Sequence, residues 1–432
     1  MITRAGWPVL TLALLAALAP QTRTAAGPDQ APAASARTHE DAWRADLETF
    51  AREFPAAQKD FATLYPRAPF DAGLAALTRA LAASSDADVI LALMRLVASA
   101  HVAHTIVHFP TTGPMAFHRL PLALQWFSDG LLVTGASQPN REALGLRVTS
   151  IGALTPAQLE SAVAPYFAHE HEAWLHQHSP TFMVMEELLR RLGQVDADGR
   201  VTVALARADG TTVALRVMPG PWVGGPPLLG VIEALGIPPG PSRTDLARYY
   251  RYEILPGANA LYVRYSRCTN DPQQPFANFA RDLFAAVAAA PSAIERVVID
   301  LRSNTGGDSR IIKPLLDGLR ARRSLSARGR LYALIGPSTF SSGLMAAVSL
   351  RDLKAVLVGE TPGEKLDTYG EVRPLTLPNS RLVVQYSTKH FKLAKGDSPT
   401  LDPDVVVRRS IADLLAGHDP VLDAALTQSP RR

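Results

Sequence analysis

Apolar side chains follow two different spacings in the first half of this 432-residue chain. Between residues 41 and 100 they recur every three or four positions, which is the spacing of one face of a helix. From 120 to 219 short apolar runs alternate with turn residues, a pattern typical of strands. We therefore predict a helical N-terminal region over 40–100 and a mixed-β domain over 101–218. The helical pattern begins with Trp43, Leu47, Phe50 and Phe54.

The second half alternates apolar strands with helices. A strand pattern at 260–265 is followed by an alanine-rich helix and by the apolar run Arg296–Asp300. This alternation predicts an α/β domain over 242–432 with a largely parallel sheet and helices on both faces. The Pro/Gly-rich segment 219–241 is predicted to be the linker between the two halves.

The first 26 residues have the pattern of an export signal. Residues 1–26 contain Arg4, an apolar core over 8–19 and a small-residue cleavage site at 24–26, which together predict a signal peptide. A secreted or periplasmic protein is expected, with 27–39 as a disordered linker. An uncleaved anchor is the alternative, but the apolar core is too short for a permanent membrane-spanning helix.

Charge and cysteine content narrow the function classes. Lys and Arg number 44 against 40 Asp and Glu, and no basic cluster with interleaved aromatic residues stands out, so no nucleic-acid partner is expected. The single cysteine, Cys268, cannot form an internal disulfide. We interpret it as a packed strand residue rather than a catalytic thiol.

Two polar segments interrupt the α/β pattern. Residues 336–343 read Gly-Pro-Ser-Thr-Phe-Ser-Ser-Gly between an apolar strand and a helix-forming run. A strand, a tight turn and a helix in this order present a serine hydroxyl at the helix N-terminus. The other segment, Asn-Thr-Gly-Gly over 304–307, follows the Asp300 strand, and its glycines would let the backbone approach a substrate closely.

Residues 261–410 resemble the catalytic domain of the tail-specific (C-terminal processing) serine peptidases. Each matching motif is weak alone, but all of them occur in the family's order. The motifs are Ile299-Asp-Leu-Arg-Ser-Asn-Thr-Gly-Gly307, Thr339-Phe-Ser-Ser-Gly343, Val358-Gly-Glu-Thr-Pro-Gly-Glu-Lys365, Tyr369-Gly-Glu-Val372, Leu377-Pro-Asn-Ser380, Tyr386-Ser-Thr-Lys-His-Phe391 and Leu401-Asp-Pro-Asp-Val405.

The resemblance implies a role for each site residue. Ser341 is the expected nucleophile, with the adjacent Ser342 as its rival. Lys365 is the expected general base, which must be neutral to accept a proton. The N–H of Gly306 or Gly307, together with that of Ser342, would form the oxyanion hole. Two further residues are expected to orient the site, namely Tyr369, where the family often has a glutamine, and Glu371.

His104 is the alternative base. Some relatives of the processing proteases carry a His-Thr pair after the N-terminal helices, and in one branch the histidine replaces the lysine as the base. His104-Thr105 matches that pair. Imidazole is a good general base near neutral pH. A histidine that caps a helix or is hydrogen-bonded in a core is the other interpretation.

Two features of the mixed-β domain have competing interpretations. The run 145–152 before a capped helix resembles the PDZ-like modules that accompany this family and bind chain ends, whereas a plain mixed-β domain fits equally well. The histidines between His169 and His178 lack the order of a zinc-binding helix and indicate a solvated helical face. No metal or cofactor is expected.

The function predicted from the sequence is an exported serine-type endopeptidase that forms an acyl-enzyme with polypeptide substrates. Two alternatives remain open. One is a catalytically inactive peptide- or lipid-binding protein on the same scaffold, which the tyrosine at 369 favours. The other is an esterase acting on small molecules.

Overall fold

The computed structural model describes residues 38–290, 294–327, 329–393 and 398–427. The predicted signal peptide, residues 1–26, and the predicted linker up to residue 37 lie outside the described residues. Within these ranges, none of the helices combines the length and the apolar character needed to cross a membrane.

Four helices form the N-terminal region, as the apolar spacing predicts. Aromatic side chains fill its core, and Phe54 contacts the rings of Phe50, Phe61 and Tyr65. The last helix starts with a capping box in which Ser85 and Asp88 exchange side-chain to backbone hydrogen bonds. The helices are α1 (His39–Ala57), α2 (Phe61–Leu64), α3 (Arg67–Ala80) and α4 (Asp86–Ala98).

The middle of the chain forms an antiparallel sheet with helices beside it. Its strand order is β3-β4-β5-β6-β7, and β9 pairs with β4. As predicted, Thr155 caps a helix that has Pro156 at its first position. The elements are β1 (Ile106–His108), β2 (His118–Arg119), β3 (Leu122–Phe127), β4 (Gly130–Ser137), β5 (Arg147–Ile151), α5 (Pro156–Val163), α6 (Glu172–Met183), α7 (Glu186–Arg191), β6 (Val201–Ala206), β7 (Thr212–Val217), β8 (Gly220–Pro221), β9 (Leu228–Gly230) and α8 (Val231–Ala234).

The segment 219–241 is more than the linker that its composition predicts. Its β9 strand is hydrogen-bonded to β4, and α8 buries Val231 and Ile232 in the core of the middle region. Glycine and proline mark the turns of this segment, but they do not reveal that three residues between them extend a sheet.

The C-terminal part has the predicted largely parallel sheet. Its order is β10-β11-β12-β13-β14-β17, and only the β10–β11 pair is antiparallel. Helices α9, α10 and α12 pack on one face, and α14 packs on the other. The elements are β10 (Tyr250–Leu255), β11 (Ala260–Tyr265), α9 (Phe276–Ala288), β12 (Arg296–Asp300), α10 (Lys313–Ala321), α11 (Arg323–Ser326), β13 (Leu331–Ile335), α12 (Ser342–Asp352), β14 (Val356–Gly359), β15 (Asp367–Thr376), β16 (Val383–Lys392), β17 (Val405–Val406), α13 (Ile411–Leu415) and α14 (Pro420–Thr427).

The hairpin β15–β16 departs from this sheet and pairs with β1, so that Ile106 lies opposite Gln385. This pairing brings the residues just before β1 to the C-terminal part of the chain. There the loops that follow β12, β13 and β14 leave the carboxyl ends of three adjacent parallel strands, the edge where open α/β sheets bind ligands.

Candidate active site

Ser341 lies in a strained turn between β13 and α12. Its backbone has φ 56° and ψ −126°, a conformation that non-glycine residues rarely adopt and that is typical of a serine presented at a strand-to-helix turn. The Thr339 hydroxyl stabilises the turn, since it donates to the Leu301 carbonyl at 2.9 Å and accepts from the Gly336 N–H at 3.1 Å. The Ser341 N–H donates to the Glu364 carboxyl group.

The two adjacent serines have different environments. The Ser342 hydroxyl is buried and donates to the Gly307 carbonyl at 2.6 Å. The Ser341 hydroxyl is half-buried and has no hydrogen-bond partner among the described residues. Of the two predicted nucleophiles, Ser341 is therefore the one whose oxygen is available to a substrate.

The glycine loop after β12 lies against this serine. Gly306 and Gly307 have φ of 106° and 131°, which side-chain-bearing residues rarely adopt. A Cβ on Gly306 would lie 2.7 Å from the Ser341 Cβ and 3.1 Å from the Ser342 nitrogen. Only a glycine therefore fits at 306 without displacing the serine.

The hydrogen bonds of this loop separate the two predicted oxyanion donors. The Gly306 N–H donates to the Asn304 side chain at 3.0 Å. The Gly307 N–H has no acceptor in the described part of the chain. The Ser342 N–H belongs to the first residue of α12, where no intrahelical acceptor exists. Gly307 and Ser342 are thus the pair of available donors.

Asn304 joins the glycine loop to the serine turn, a role that the sequence analysis did not assign to it. It is fully buried, and its amide donates to the Tyr265 carbonyl at 2.8 Å, while its own carbonyl accepts from the Phe340 N–H at 2.9 Å. Cys268 packs beside it, as predicted for a buried residue. Burial raises the pKa of the Cys268 thiol to about 11, so the group is a neutral thiol at physiological pH.

His104 reaches the site through the β1–β16 pairing. Its carbonyl accepts from the Gln385 side chain at 2.9 Å, and its ring stacks on Phe340 with 4.4 Å between ring centroids. Its Nε2 lies 3.9 Å from the position that a Cβ on Gly370 would take. Burial lowers the pKa of His104 to about 4, so the imidazole is neutral near pH 7 and able to accept a proton.

Glu364 connects Ser341 with His104, and the sequence analysis did not single it out. One carboxyl oxygen accepts from the Ser341 N–H, and the other lies 3.4 Å from His104 Nδ1. Among the described residues, this buried nitrogen has no hydrogen-bond partner. Burial, followed by the neighbouring Glu170, raises the pKa of Glu364 to about 8.

Among the described residues, no hydrogen bond or ion pair joins Lys365 to Ser341. Its backbone N–H donates to Glu170 at 3.1 Å, but its ammonium group makes no hydrogen bond or ion pair with the residues described. Glu364 and Lys365 are neighbours in one loop, and it is the carboxyl group that occupies the buried side next to the serine. The sequence motif contains both residues but gives no signal of which one points inward.

Tyr369 and Glu371 lie on the opposite face of β15 from the site. Successive side chains of a strand alternate between its faces. Tyr369 stacks on His390 at 4.6 Å, and Glu371 pairs with Lys389 at 3.6 Å. The buried face carries Thr368 and Gly370, and the Thr368 hydroxyl donates to Glu364 at 2.9 Å. The predicted orienting residues are therefore not brought to the site, whereas Thr368 contacts Glu364.

Helix α6 covers the site from the middle region. Its Trp174 stacks on Phe340 at 4.0 Å, and a Cβ on Gly363 would lie 2.5 Å from the Trp174 ring. The histidines around this helix have structural contacts: His171 accepts from the Ala173 N–H at the helix start, and His176 lies 2.9 Å from Glu160. Among the described residues they do not form a group with the spacing of metal ligands.

Comparison with known proteins gives a likeness in structure alone. No protein-family model and no curated protein matches the sequence. The structure of mature CPAF complexed with lactacystin matches with a TM-score of 0.62 and 13% identity, over 89% of this chain and 98% of that one. A crystal structure of mature CPAF matches with a TM-score of 0.60 and 13% identity, over 89% of this chain and 96% of that one.

A weaker likeness, with a TM-score of 0.38 and 15% identity, relates the chain to the photosystem II D1 C-terminal processing protease over 86% of this chain and 94% of that one. The CPAF alignments span nearly all of both chains, and identity at this level shows the fold. This chain therefore has the fold of CPAF, with a helical N-terminal region, small antiparallel sheets and a mostly parallel sheet.

Proposed function

We propose that this protein is a serine-type endopeptidase. The observation that carries the proposal is the position of the Glu364 carboxyl group, which bonds the backbone of Ser341 and lies 3.4 Å from His104 Nδ1. A hydroxyl, an imidazole and a buried carboxyl group in this order are the components of general-base activation of a serine.

In the proposed mechanism, Ser341 Oγ attacks the scissile carbonyl carbon while Nε2 of His104 takes its proton. Ionised Glu364 accepts a hydrogen bond from the Nδ1–H group, which keeps the lone pair on Nε2 and stabilises the imidazolium that forms. The imidazolium then protonates the leaving amine, and water repeats the sequence to release the acyl group. The N–H groups of Gly307 and Ser342 stabilise the oxyanion.

Polypeptides are the proposed substrates, and the N-terminal pattern of residues 1–26 supports export to the periplasm or the cell exterior. Lys365 remains the other candidate for the base. His104 is preferred because its ring nitrogen faces the carboxyl group that bonds the serine turn, whereas no such contact supports Lys365.

Labelling with a fluorophosphonate tests the proposal. We expect the reagent to modify Ser341, and we expect Ser341→Ala to abolish labelling and to reduce peptide hydrolysis by about 10³-fold or more. Ser349→Ala, in the helix α12 that follows Ser341, is the matched control, because among the described residues its hydroxyl donates only to the Met345 carbonyl. It should be labelled like the wild type.

The same experiment separates the alternatives. Absence of labelling in the wild type, together with peptide or lipid binding, would favour an inactive binding protein. Labelling together with turnover of nitrophenyl esters, but with unstructured polypeptides left intact, would favour an esterase. Labelling that persists in Ser341→Ala would contradict the assignment of the nucleophile.

A further inference from the structure

Glu170 is a partly buried acidic residue that the mechanism above does not use. It precedes α6 and therefore belongs to the middle region, not to the parallel sheet that carries Ser341. Its carboxyl group nevertheless lies among the backbone groups of the site. Desolvation raises the pKa of Glu170 to about 7.

The two oxygens of Glu170 bind two different parts of the site. One accepts from the Ala103 N–H at 3.1 Å, next to His104, and the other accepts from the Lys365 N–H at 3.1 Å, next to Glu364. A single carboxyl group therefore joins the segment that carries the imidazole to the loop that carries its carboxyl partner. Residue 103 and residue 365 are far apart in sequence, so this bridge fixes a distance that local structure does not.

Glu170 also acts on Glu364 electrostatically. The Thr368 hydroxyl donates to Glu364 at 2.9 Å and lies 3.3 and 3.4 Å from the Glu170 oxygens, so both carboxyl groups surround one hydroxyl. Their like charges make simultaneous ionisation unfavourable. Two further titratable groups of the described residues act on this pair, namely His104, on the segment before β1, and Lys365, on the same loop as Glu364.

We propose that Glu170 is a positioning residue of the site. It holds His104 and Glu364 at the separation that the mechanism requires. Its charge also determines whether Glu364 accepts a hydrogen bond from His104 or donates one to it. The inference rests on the proposed serine peptidase function. Ionised Glu364 accepts from Nδ1–H and leaves the Nε2 lone pair free for the Ser341 proton. Protonated Glu364 donates to Nδ1 and places the hydrogen on Nε2, which then cannot act as a base.

Two substitutions test the bridge and the charge. Glu170→Gln removes the charge and also replaces one accepting oxygen by an NH₂ group, so it breaks half of the bridge. Because Glu364 then ionises more readily, the acid limb of the reaction should move to lower pH by about one unit, together with a lower plateau rate. Glu170→Asp keeps the charge but is too short to span both N–H groups. It should lower the plateau rate by about tenfold or more while moving the limb less than Gln does.

The measurement is the rate constant of fluorophosphonate labelling of Ser341 from pH 5 to pH 10, with the melting temperature recorded at each pH. Glu172→Gln is the matched control, because this exposed residue in the first turn of α6 lies two positions away. Its profile should superimpose on that of the wild type. A Glu170→Gln profile that also superimposes, or that loses amplitude without any shift along the pH axis, would overturn the inference.

If the proposed function is wrong, the labelling experiment gives a different result. A wild-type protein that never reacts would refute the peptidase, and the inference is then decided by nitrogen-15 NMR of the histidine side chains. We expect Glu170→Gln to shift the pH at which His104 changes between its Nδ1–H and Nε2–H tautomers, and Glu172→Gln to leave it in place. Identical His104 signals in wild type and Glu170→Gln would refute the role of Glu170.

Discussion

At the scale of single residues, Glu364 and His104 have opposite pKa shifts with one common cause. Burial lowers the pKa of the imidazole to about 4 and raises the pKa of the carboxyl group to about 8, because both charged forms lose solvation. Below pH 8 the carboxyl group therefore tends to keep its proton. Since the proposed mechanism requires an ionised Glu364, activity should rise as the pH increases through about 8.

Substitution of Glu364 by glutamine tests this argument. The amide of Gln is neutral at every pH, and its NH₂ can donate to Nδ1, so it favours the tautomer with hydrogen on Nε2. We expect Glu364→Gln to lower kcat/KM by about 10³-fold or more and to remove the rise near pH 8. Steady-state rates from pH 6 to pH 10 measure both effects, with Glu360→Gln, in the same loop, as the control. A Glu364→Gln enzyme that keeps the rise would show that another group titrates.

At the scale of elements, the loop after β12 and the turn after β13 form one unit. Asn304 holds them together by accepting the Phe340 N–H with its carbonyl, and a Cβ on Gly343 would lie 2.4 Å from that same carbonyl oxygen. The helix α12 can therefore begin beside the glycine loop only because residue 343 has no side chain. The close approach is what places two available N–H donors next to the serine.

Gly306→Ala should disrupt this unit. The added methyl group would lie 2.7 Å from the Ser341 Cβ, and alanine is strained at φ 106°. We expect a loss of about 10²-fold or more in labelling rate, since small displacements of a catalytic group have effects of this size. Gly336→Ala is the control, because its methyl group would meet only Arg302 side-chain atoms at 3.7 Å and beyond. Equal labelling rates for the two variants would contradict a tight fit at 306.

Some of these elements could be predicted from the sequence, and others could not. Helices α1, α3 and α4 were predictable because their apolar spacing matches the faces they bury, and strands β11 to β14 were predictable because they are short apolar runs. The β1–β16 pairing was not, since β1 has only three residues and its partner lies about two-thirds of the chain away. A short strand gives no periodic signal, and its pairing depends on long-range packing.

Among the site residues, too, some could be predicted from the sequence and others could not. Ser341 and the glycine loop follow from local motifs, because turn chemistry and positive φ depend on neighbouring residues. The choice between Glu364 and Lys365 depends on which side chain the loop buries, and a motif does not specify this. The position of Tyr369 in a motif led to the expectation that it orients the site. The alternation of side chains along β15 instead places Thr368 and Gly370 on the face next to the site.

At the scale of the whole molecule, the site is assembled from three parts of the chain. The parallel sheet contributes Ser341 and Glu364, the segment after the N-terminal helices contributes His104, and the middle region contributes Glu170 and the Trp174 cover. The hairpin β15–β16 connects them, because it pairs with β1 directly after His104.

The most direct measurement of this convergence compares His104→Ala with Lys365→Ala. Both variants are treated with the fluorophosphonate, and the labelling rate of Ser341 is measured at pH 9, where Glu364 is mostly ionised. We predict a loss of about 10³-fold for His104→Ala and a change of less than about tenfold for Lys365→Ala. The reverse order, or small and equal losses in both variants, would contradict the account.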